Sequence, residues 1–221
     1  AFVEALKEVY AERYPEEEGG AMGSRSYGRI VNRMHFDRLV GMMRRSKGKV
    51  VIGGETDEDR LKIGLTVVVD VEGDDALMED ELFGPVLPIV SVQDIDEAID
   101  FVNARDHPLS FYAFTDRPEV KQKLIDETLS GSIIFNDTFD QLAVYELPFS
   151  GVGESGYGYQ VLRYGFDGFT HLRSSVDLPK ELETALRPRY APYTEETTAF
   201  MAANAYLPIP ALEQTPELAH L

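Results

Sequence analysis

The sequence predicts an α/β fold built on a parallel-strand sheet, and three observations carry that prediction. Between residues 86 and 136, short apolar runs alternate with amphipathic stretches in the order strand, helix, strand, helix, strand. That order is a pair of βαβ units, which set their strands in parallel with right-handed crossovers. Upstream, the β-branched runs Lys49 to Gly53 and Thr66 to Val71 read as two more strands separated by a polar turn. Finally, 43% of the 221 residues are apolar, enough to bury a sizeable core.

Each element follows from its residues. Ala1 to Tyr14 spaces Phe2, Leu6, Val9 and Tyr10 as a helical stripe, and the chain begins inside that pattern without a cap, as if cut from something longer. Pro15 to Gly23 reads as an acidic loop. A second helix is expected near Tyr27 to Arg45, with Phe36, Leu39, Val40 and Met43 on one face. Val86 to Val92 suits a buried strand despite Pro88. Asp94 can cap a helix striped by Ile95, Ala98, Ile99 and Val102, with Asp96 and Glu97 favourable in its first turn. Ser110 to Thr115 is the next strand. Asp116 is expected to cap the following helix, which has Pro118 in its first turn and Gly131 past its end. Ser132 to Asn136 is the last strand of the pair, and ligands on such sheets sit beyond the carboxyl ends of strands, so Asn136 marks a candidate site. Ser174 to Leu178 is expected as a late strand closing a domain of residues 1–178. Six prolines after Leu178 predict an extended tail over 179–221.

Composition narrows the partners. Thirty-nine acids against 21 bases give a formal charge of −18, which repels phosphate backbones and anionic lipid, so neither nucleic acid nor a membrane is expected as partner. There are no cysteines, which removes disulfides, thiolate metal sites and any sulfur nucleophile from these residues. The four histidines are scattered without ligand spacing, so no metal is expected. The most apolar window, Ala199 to Leu212, is broken by Asn204, Pro208 and Pro210, and Phe2 to Tyr14 is too charged for a secretory signal. The expectation is a soluble, cytoplasmic protein.

Gly151, Gly153 and Gly156 satisfy G-x-G-x-x-G, with Asp177 downstream where a dinucleotide fingerprint would place an acid. The context is wrong for that motif. Glu146 and Pro148 interrupt any strand leading into it, and Gly158, Gly165 and Gly168 weaken the helix that should follow. A tight loop with closely packed backbone is the better reading.

Several blocks occur in order: Tyr27-Gly28-Arg29-Ile30-Val31-Asn32, His35-Phe36-Asp37-Arg38-Leu39, Glu81-Leu82-Phe83-Gly84-Pro85-Val86-Leu87-Pro88-Ile89-Val90, Asn136-Asp137, Leu147-Pro148-Phe149, Gly151 to Gly158, and Phe169-Thr170-His171. Together they resemble the aldehyde dehydrogenase superfamily, in particular the C-terminal half of its class 3-type and fungal members, over residues 1 to about 193. The resemblance implies an α/β catalytic domain with a late oligomerisation strand. It also implies a reaction in which a cysteine thiolate attacks an aldehyde, hydride passes to NAD or NADP, and a glutamate activates water to release the acid. In that family the thiol, the base and most of the dinucleotide fold precede the region matched here. No catalytic residue is therefore assigned, and the chain alone is expected to lack dehydrogenase activity, NAD or NADP being the cofactor of the complete family enzyme.

What the resemblance assigns is narrower. Glu81 matches the glutamate that accepts from the ribose hydroxyls next to the nicotinamide, and Phe83 the ring that packs beside it. By composition alone, Glu79-Asp80-Glu81 reads instead as an ordinary solvated acidic turn before a strand. Asn136 and the loop Thr138 to Tyr145, with Gln141 and Tyr145, would border the substrate pocket. Phe149 would line it or serve plain core packing. The departures from the family pattern cluster here. Gln160-Val161-Leu162-Arg163 stands where the family has Tyr-His-Gly-Lys, Ser150 replaces a glycine, and Gln141 and Tyr145 replace frequent histidines. Three functions stay open: part of a complete aldehyde dehydrogenase, a short relative using the old pocket for isomerisation or cyclisation, and a non-catalytic dimerisation module. The expected partners are an aldehyde or apolar small molecule and a second copy or the missing N-terminal half.

Overall fold

The opening stripe folds as α1 (Phe2–Arg13), yet it buries none of its residues completely, and Phe2 and Val9 stay exposed. It is tied down by aromatic edges: Tyr14 meets Tyr10 at 5.8 Å and Tyr27 at 5.7 Å between ring centroids. The Tyr27 hydroxyl donates to the Ile63 carbonyl at 2.7 Å, and burial pushes its pKa up. The acidic loop contains a 3₁₀ turn, Glu16–Glu18, and one helical turn, α2 (Gly20–Gly23). The computed structural model describes residues 1–205. They belong to two compact units, Ala1–Phe169 and one from Thr170 onward.

The second predicted helix starts late. α3 (Arg33–Arg45) begins after Asn32, whose side chain accepts from the His35 N–H at 2.9 Å. An asparagine in that role ends the loop and fixes the first turn, so Tyr27 to Val31 stays outside the helix. Phe36, Leu39 and Met42 are buried, with Val40 and Met43 packed at the edge. Leu39 is fully enclosed, worth roughly 1.5–3 kcal/mol in transfer energy alone.

Beneath α3 lie β1 (Lys49–Ile52), the hairpin β2 (Thr56–Asp57) and β3 (Lys62–Ile63), β4 (Thr66–Val69) and β5 (Val86–Pro88). β1 and β4 run antiparallel, with a register shift between Val50 and Ile52, and β4 pairs in parallel with β5 from Thr66↔Val86 to Val68↔Pro88. The core is two adjoining clusters, one around Met42, Val68, Val71, Leu77 and Val86, the other around Ile30, Phe36, Leu39 and Ile63. Asp75 is the buried acid of this region. Its carboxylate accepts from the N–H groups of Lys47 at 2.8 Å and Leu77 at 2.9 Å. Burial pushes its pKa up, but the N–H groups of Leu77, Lys47 and Gly48 and the Ser46 hydroxyl outweigh this and hold it below the ordinary value.

α4 (Ile95–Asn103) is capped as its sequence predicts, Asp94 accepting from the Glu97 N–H at 3.0 Å. β6 (Ser110–Ala113), α5 (Pro118–Glu127) and β7 (Ser132–Phe135) then complete a βαβ unit, the strands pairing in parallel from Ser110↔Ser132 to Ala113↔Phe135. Two expectations are corrected here. Asp116 does not cap α5. Pro118 forces the residue before it into extended backbone, so Arg117 takes the cap position, and Asp116 instead accepts from Asn136 Nδ2 at 3.4 Å. Nor do the two βαβ units share one sheet. β5 is three residues long, ends on a proline with no N–H, and commits its hydrogen bonds to β4. The mixed α/β fold with parallel pairs stands, those pairs divided between two separate ladders, β1-β4-β5 and β6-β7, beside the β2-β3 hairpin.

The glycine stretch is a loop. It holds a 3₁₀ turn, Gly153–Ser155, and leads to the seven-residue α6 (Leu162–Gly168), with no strand running into its first glycine. Gly131 explains its tightness: a Cβ there would strike the Ser150 carbonyl and lie 2.6 Å from the Leu109 carbonyl oxygen. Backbone therefore packs on backbone where β6, β7 and this loop meet.

In the second unit, residues 174–178 are exposed and join no ladder among the described residues, so the expected strand is not formed there. A strand exists through its partner, and the described residues offer none. The tail is not simply extended either. It carries 3₁₀ turns at Lys180–Glu183 and Arg187–Arg189 and the helix α7 (Glu195–Ala205). The tail's prolines all fall outside 195–205, and Thr194 and Thr197 cap α7 reciprocally, with Thr194 N–H to Thr197 Oγ1 at 2.8 Å. The part of the apolar window beyond residue 205, and His220, lie outside the described residues. Among the described residues no helix is long and apolar enough to cross a membrane.

Candidate functional site

The seven candidate residues fall into three places. Glu81 and Phe83 sit on the turn between the 3₁₀ segment Ala76–Met78 and β5. Leu82 between them points inward and packs against both core clusters. Phe83 takes a left-handed backbone, φ 48°, and the residue is 78% exposed. The Glu81 carboxylate forms no hydrogen bond or ion pair among the described residues, although its N–H donates to Asp80 Oδ1 at 2.8 Å. Gly84 closes the turn against α3, where a Cβ would press on the Leu39 side chain. The turn thus presents a free acceptor and a bare ring on a firmly seated backbone.

Asn136 stands at the carboxyl end of β7 with φ 62°, a conformation asparagine tolerates. Its side chain is spent on the backbone of Thr115, and it does not line the cavity shared by Gln141, Tyr145 and Phe149.

Gln141, Tyr145 and Phe149 come together. They line a cavity of about 80 Å³ with Leu142, Val144, Leu147 and Val161 among its walls. The 3₁₀ turn Asp140–Ala143 carries Gln141 over β6, where Gln141 Nε2 donates to the Tyr112 hydroxyl at 3.0 Å and lies 3.4 Å from Ser110 Oγ. Ser110 Oγ in turn shares a hydrogen bond with Ser132 Oγ at 3.0 Å. Gln141 Oε1 is buried without a partner among the described residues. Gln160 joins through its backbone, its N–H donating to the Phe149 carbonyl at 2.9 Å, while the residue itself is exposed. The adjacent Val161 and Leu162 adopt φ 78° and φ 43°, so branched side chains occupy a left-handed bend where the resembled pattern has a glycine. In the glycine loop, the Glu154 carboxyl is held below the usual range by its own N–H and by the His107 N–H, which lies 3.5 Å away.

Sequence reasoning misses two groups. The Tyr112–Ser110–Ser132 chain under Gln141 follows from the register of β6 on β7, which pairs Ser110 with Ser132 and shows in the sequence only as two serines at strand starts. Arg38, inside one of the family-like blocks, carries no expected role, yet it binds the Glu81 turn. Among the described residues no three His, Cys, Asp or Glu side chains stand together as a metal site.

Comparison with known proteins gives this geometry a context. The aldehyde dehydrogenase family model matches residues 1–175. The chain is 41% identical to aldehyde dehydrogenase family 3 member B1 of Bos taurus, over 87% of the chain and 40% of that protein. It is 39% identical to the dimeric NADP-preferring aldehyde dehydrogenase of Canis lupus familiaris, over 89% of the chain and 42% of that protein. It thus spans about two fifths of the length of these relatives. Among solved structures, a substrate-bound Staphylococcus aureus AldH superposes with a TM-score of 0.73 at 34% identity, over 92% of this chain and 43% of that one. A match that runs through the helices, both ladders and the glycine loop leaves one conclusion: the chain belongs to the aldehyde dehydrogenase family.

Proposed function

We propose that this chain is a catalytic-domain portion of an NAD(P)-dependent aldehyde dehydrogenase, oxidising aldehydes to carboxylic acids only when joined to polypeptide that supplies a thiol nucleophile and the remaining dinucleotide fold. One observation carries the proposal: a family member without a single cysteine keeps the Glu81–Phe83 turn intact, its carboxylate uncommitted among the described residues. A free carboxylate can accept from two neighbouring hydroxyls, and an exposed ring two residues away can pack on a flat heterocycle, so these residues fit the ribose and nicotinamide of NAD or NADP. The dinucleotide supplies the hydride acceptor. Gln141, Tyr145 and Phe149 receive the apolar body of the aldehyde, Asn136 holds the loop bordering them, and Gln160 fixes Phe149 through the backbone. A second copy pairs along Ser174 to Leu178, supported by the exposure of Leu172 and Val176 and by the dimeric relative's name. The acidic surface and the lack of cysteine support a cytoplasmic setting.

The test is direct. The purified chain, given an aldehyde with NAD or NADP, should yield no reduced dinucleotide. Addition of the cysteine-bearing remainder of a class 3-type enzyme should restore turnover. Dinucleotide reduction by the chain alone overturns the proposal.

A second reading, isomerisation or cyclisation of an apolar compound in the same cavity, is favoured by the unpartnered Gln141 Oε1, an acceptor held beneath apolar walls. It requires an apolar ligand to raise the melting temperature of the chain alone, an effect that Tyr145→Ala should remove.

A further inference from the structure

We infer that Arg38 is a positioning residue for dinucleotide binding: its guanidinium grips the backbone of the Glu81 turn and so aims the Glu81 carboxylate and the Phe83 ring. This rests on the proposed role of Glu81 and Phe83.

Arg38 lies mid-way along α3, its side chain 28% exposed. One nitrogen, Nη2, donates to the Leu82 carbonyl at 2.6 Å, and the other, Nη1, to the Glu81 carbonyl at 3.2 Å. Nη1 also stands 3.8 Å from Asp80 Oδ2 and 3.4 Å from Met42 Sδ. A single planar fork thereby engages three consecutive residues, 80, 81 and 82. The same Asp80 carboxylate accepts from the Glu81 N–H at 2.8 Å, so the peptide units on both sides of Glu81 are fixed while its side chain is left free.

The turn needs such a clamp. Leu82 anchors it from below in the core, but Phe83 sits at φ 48°, a backbone state a bulky residue leaves unless its surroundings enforce it. Gly84 then presses against Leu39, one residue along α3 from Arg38. The enforcing groups are therefore Leu82 inside, Leu39 beneath and Arg38 at the flank. Among the described residues, only the Arg38 side chain reaches the carbonyls of Glu81 and Leu82. A lysine carries the charge but presents a point donor on a flexible stem, which cannot span two carbonyls with fixed geometry.

The experiment compares Arg38→Lys, Arg38→Gln and Glu81→Gln. In the chain alone, hydrogen exchange should accelerate at residues 81–84 in both Arg38 variants, while protection in α3 and β4 and the melting temperature are kept. In the complete enzyme, Arg38→Lys should raise KM for the dinucleotide about tenfold and leave KM for the aldehyde within about twofold. Added to Glu81→Gln, it should raise the dinucleotide KM by a smaller factor than in the parent, because the part of its effect that runs through the carboxylate is already lost and only the part through Phe83 remains. Protection lost evenly across α3, β4 and the turn makes Arg38 a general structural residue and overturns the inference. So does an unchanged dinucleotide KM in Arg38→Lys when Glu81→Gln raises it. If Glu81→Gln itself leaves the dinucleotide KM unchanged, the reading of Glu81 falls, and the inferred purpose of the grip falls with it even where exchange at 81–84 still accelerates.

Discussion

Asn136 pairs with the backbone of Thr115 as though it were one more strand residue: its Oδ1 accepts from the Thr115 N–H at 2.7 Å and its Nδ2 donates to the Thr115 carbonyl at 3.1 Å. The Asn136 N–H meanwhile donates to the Ala113 carbonyl at 2.8 Å, so the amide extends the β6-β7 ladder one step past its end. Only an amide offers donor and acceptor in that arrangement. Asn136→Asp keeps the shape but places a carboxylate against the Thr115 carbonyl and Asp116. It should cost about 1–3 kcal/mol at neutral pH, with partial recovery in acid. Urea melts at pH 7 and pH 4 measure this, and equal losses at both would refute it.

Asp75 makes stability pH-dependent. Its folded-state pKa lies below the ordinary value of 3.8, so its contribution is present above that value and is lost as pH falls through the depressed folded value. Asp75→Asn should destabilise the chain by about 1–3 kcal/mol at pH 7. The gap from the parent should begin to narrow below about pH 4, where the unfolded carboxylate protonates, and should close only as pH falls through the depressed folded value. A gap independent of pH between 7 and 3 rules out this account.

Leu162 is strained for no visible return. Its backbone is left-handed at φ 43° and its side chain is 71% exposed. Leu162→Gly should stabilise the chain by roughly 1 kcal/mol, since glycine occupies that region freely. Denaturant midpoints at unchanged slope would read the gain, and a loss exceeding about 1 kcal/mol would contradict it.

Gln141 carries an acceptor that nothing among the described residues satisfies. Gln141→Leu, combined with Tyr112→Phe to remove the donor's partner, should leave stability within about 0.5 kcal/mol, because a buried orphan carbonyl is removed along with its one good hydrogen bond. Gln141→Ala should cost about 1–3 kcal/mol through the space it opens. A large loss in the double apolar variant would mean that Oε1 has a partner in solution.

Leu39 and Gly84 are coupled. A Cβ on Gly84 would lie 3.1 Å from Leu39 Cδ2 and still closer to Cδ1, so Gly84→Ala alone should cost about 1–3 kcal/mol by overpacking. Leu39→Ala alone should cost about 2–5 kcal/mol by leaving a cavity. Together they should cost less than the sum by at least about 0.5 kcal/mol, the added methyl filling part of the vacated space. Strict additivity would show that the two residues do not meet.

How much of this can be read from sequence depends on range. Asp94 as a cap, the αβ alternation from 86 to 136 and the burial of Phe36 and Leu39 follow from neighbours three or four residues apart, and they are legible. Asn32 escapes notice as a cap because Tyr27 to Val31 extends the apolar pattern backward. α7 is hidden by prolines that flank it without entering it. The site is less legible still. Family blocks point to Glu81, Phe83, Gln141, Tyr145 and Phe149, but not to Arg38 gripping a turn 44 residues away at Leu82, nor to the serine chain under Gln141. Those contacts depend on register and on helix rotation, which local patterning does not encode. The departures at Val161 and Leu162 are visible as letters, and only the backbone angles reveal them as strain.

The division of the parallel pairs between two ladders also bears on how the chain acquires its shape. β1, β4 and β5 close within residues 49–88, and β6 with β7 within 110–135, so each ladder joins segments separated by short stretches of chain. Low sequence separation speeds closure because little chain entropy is lost before contacts form. Each ladder thus closes at low entropic cost early in folding, the first of them together with α3, whose Met42 completes its core.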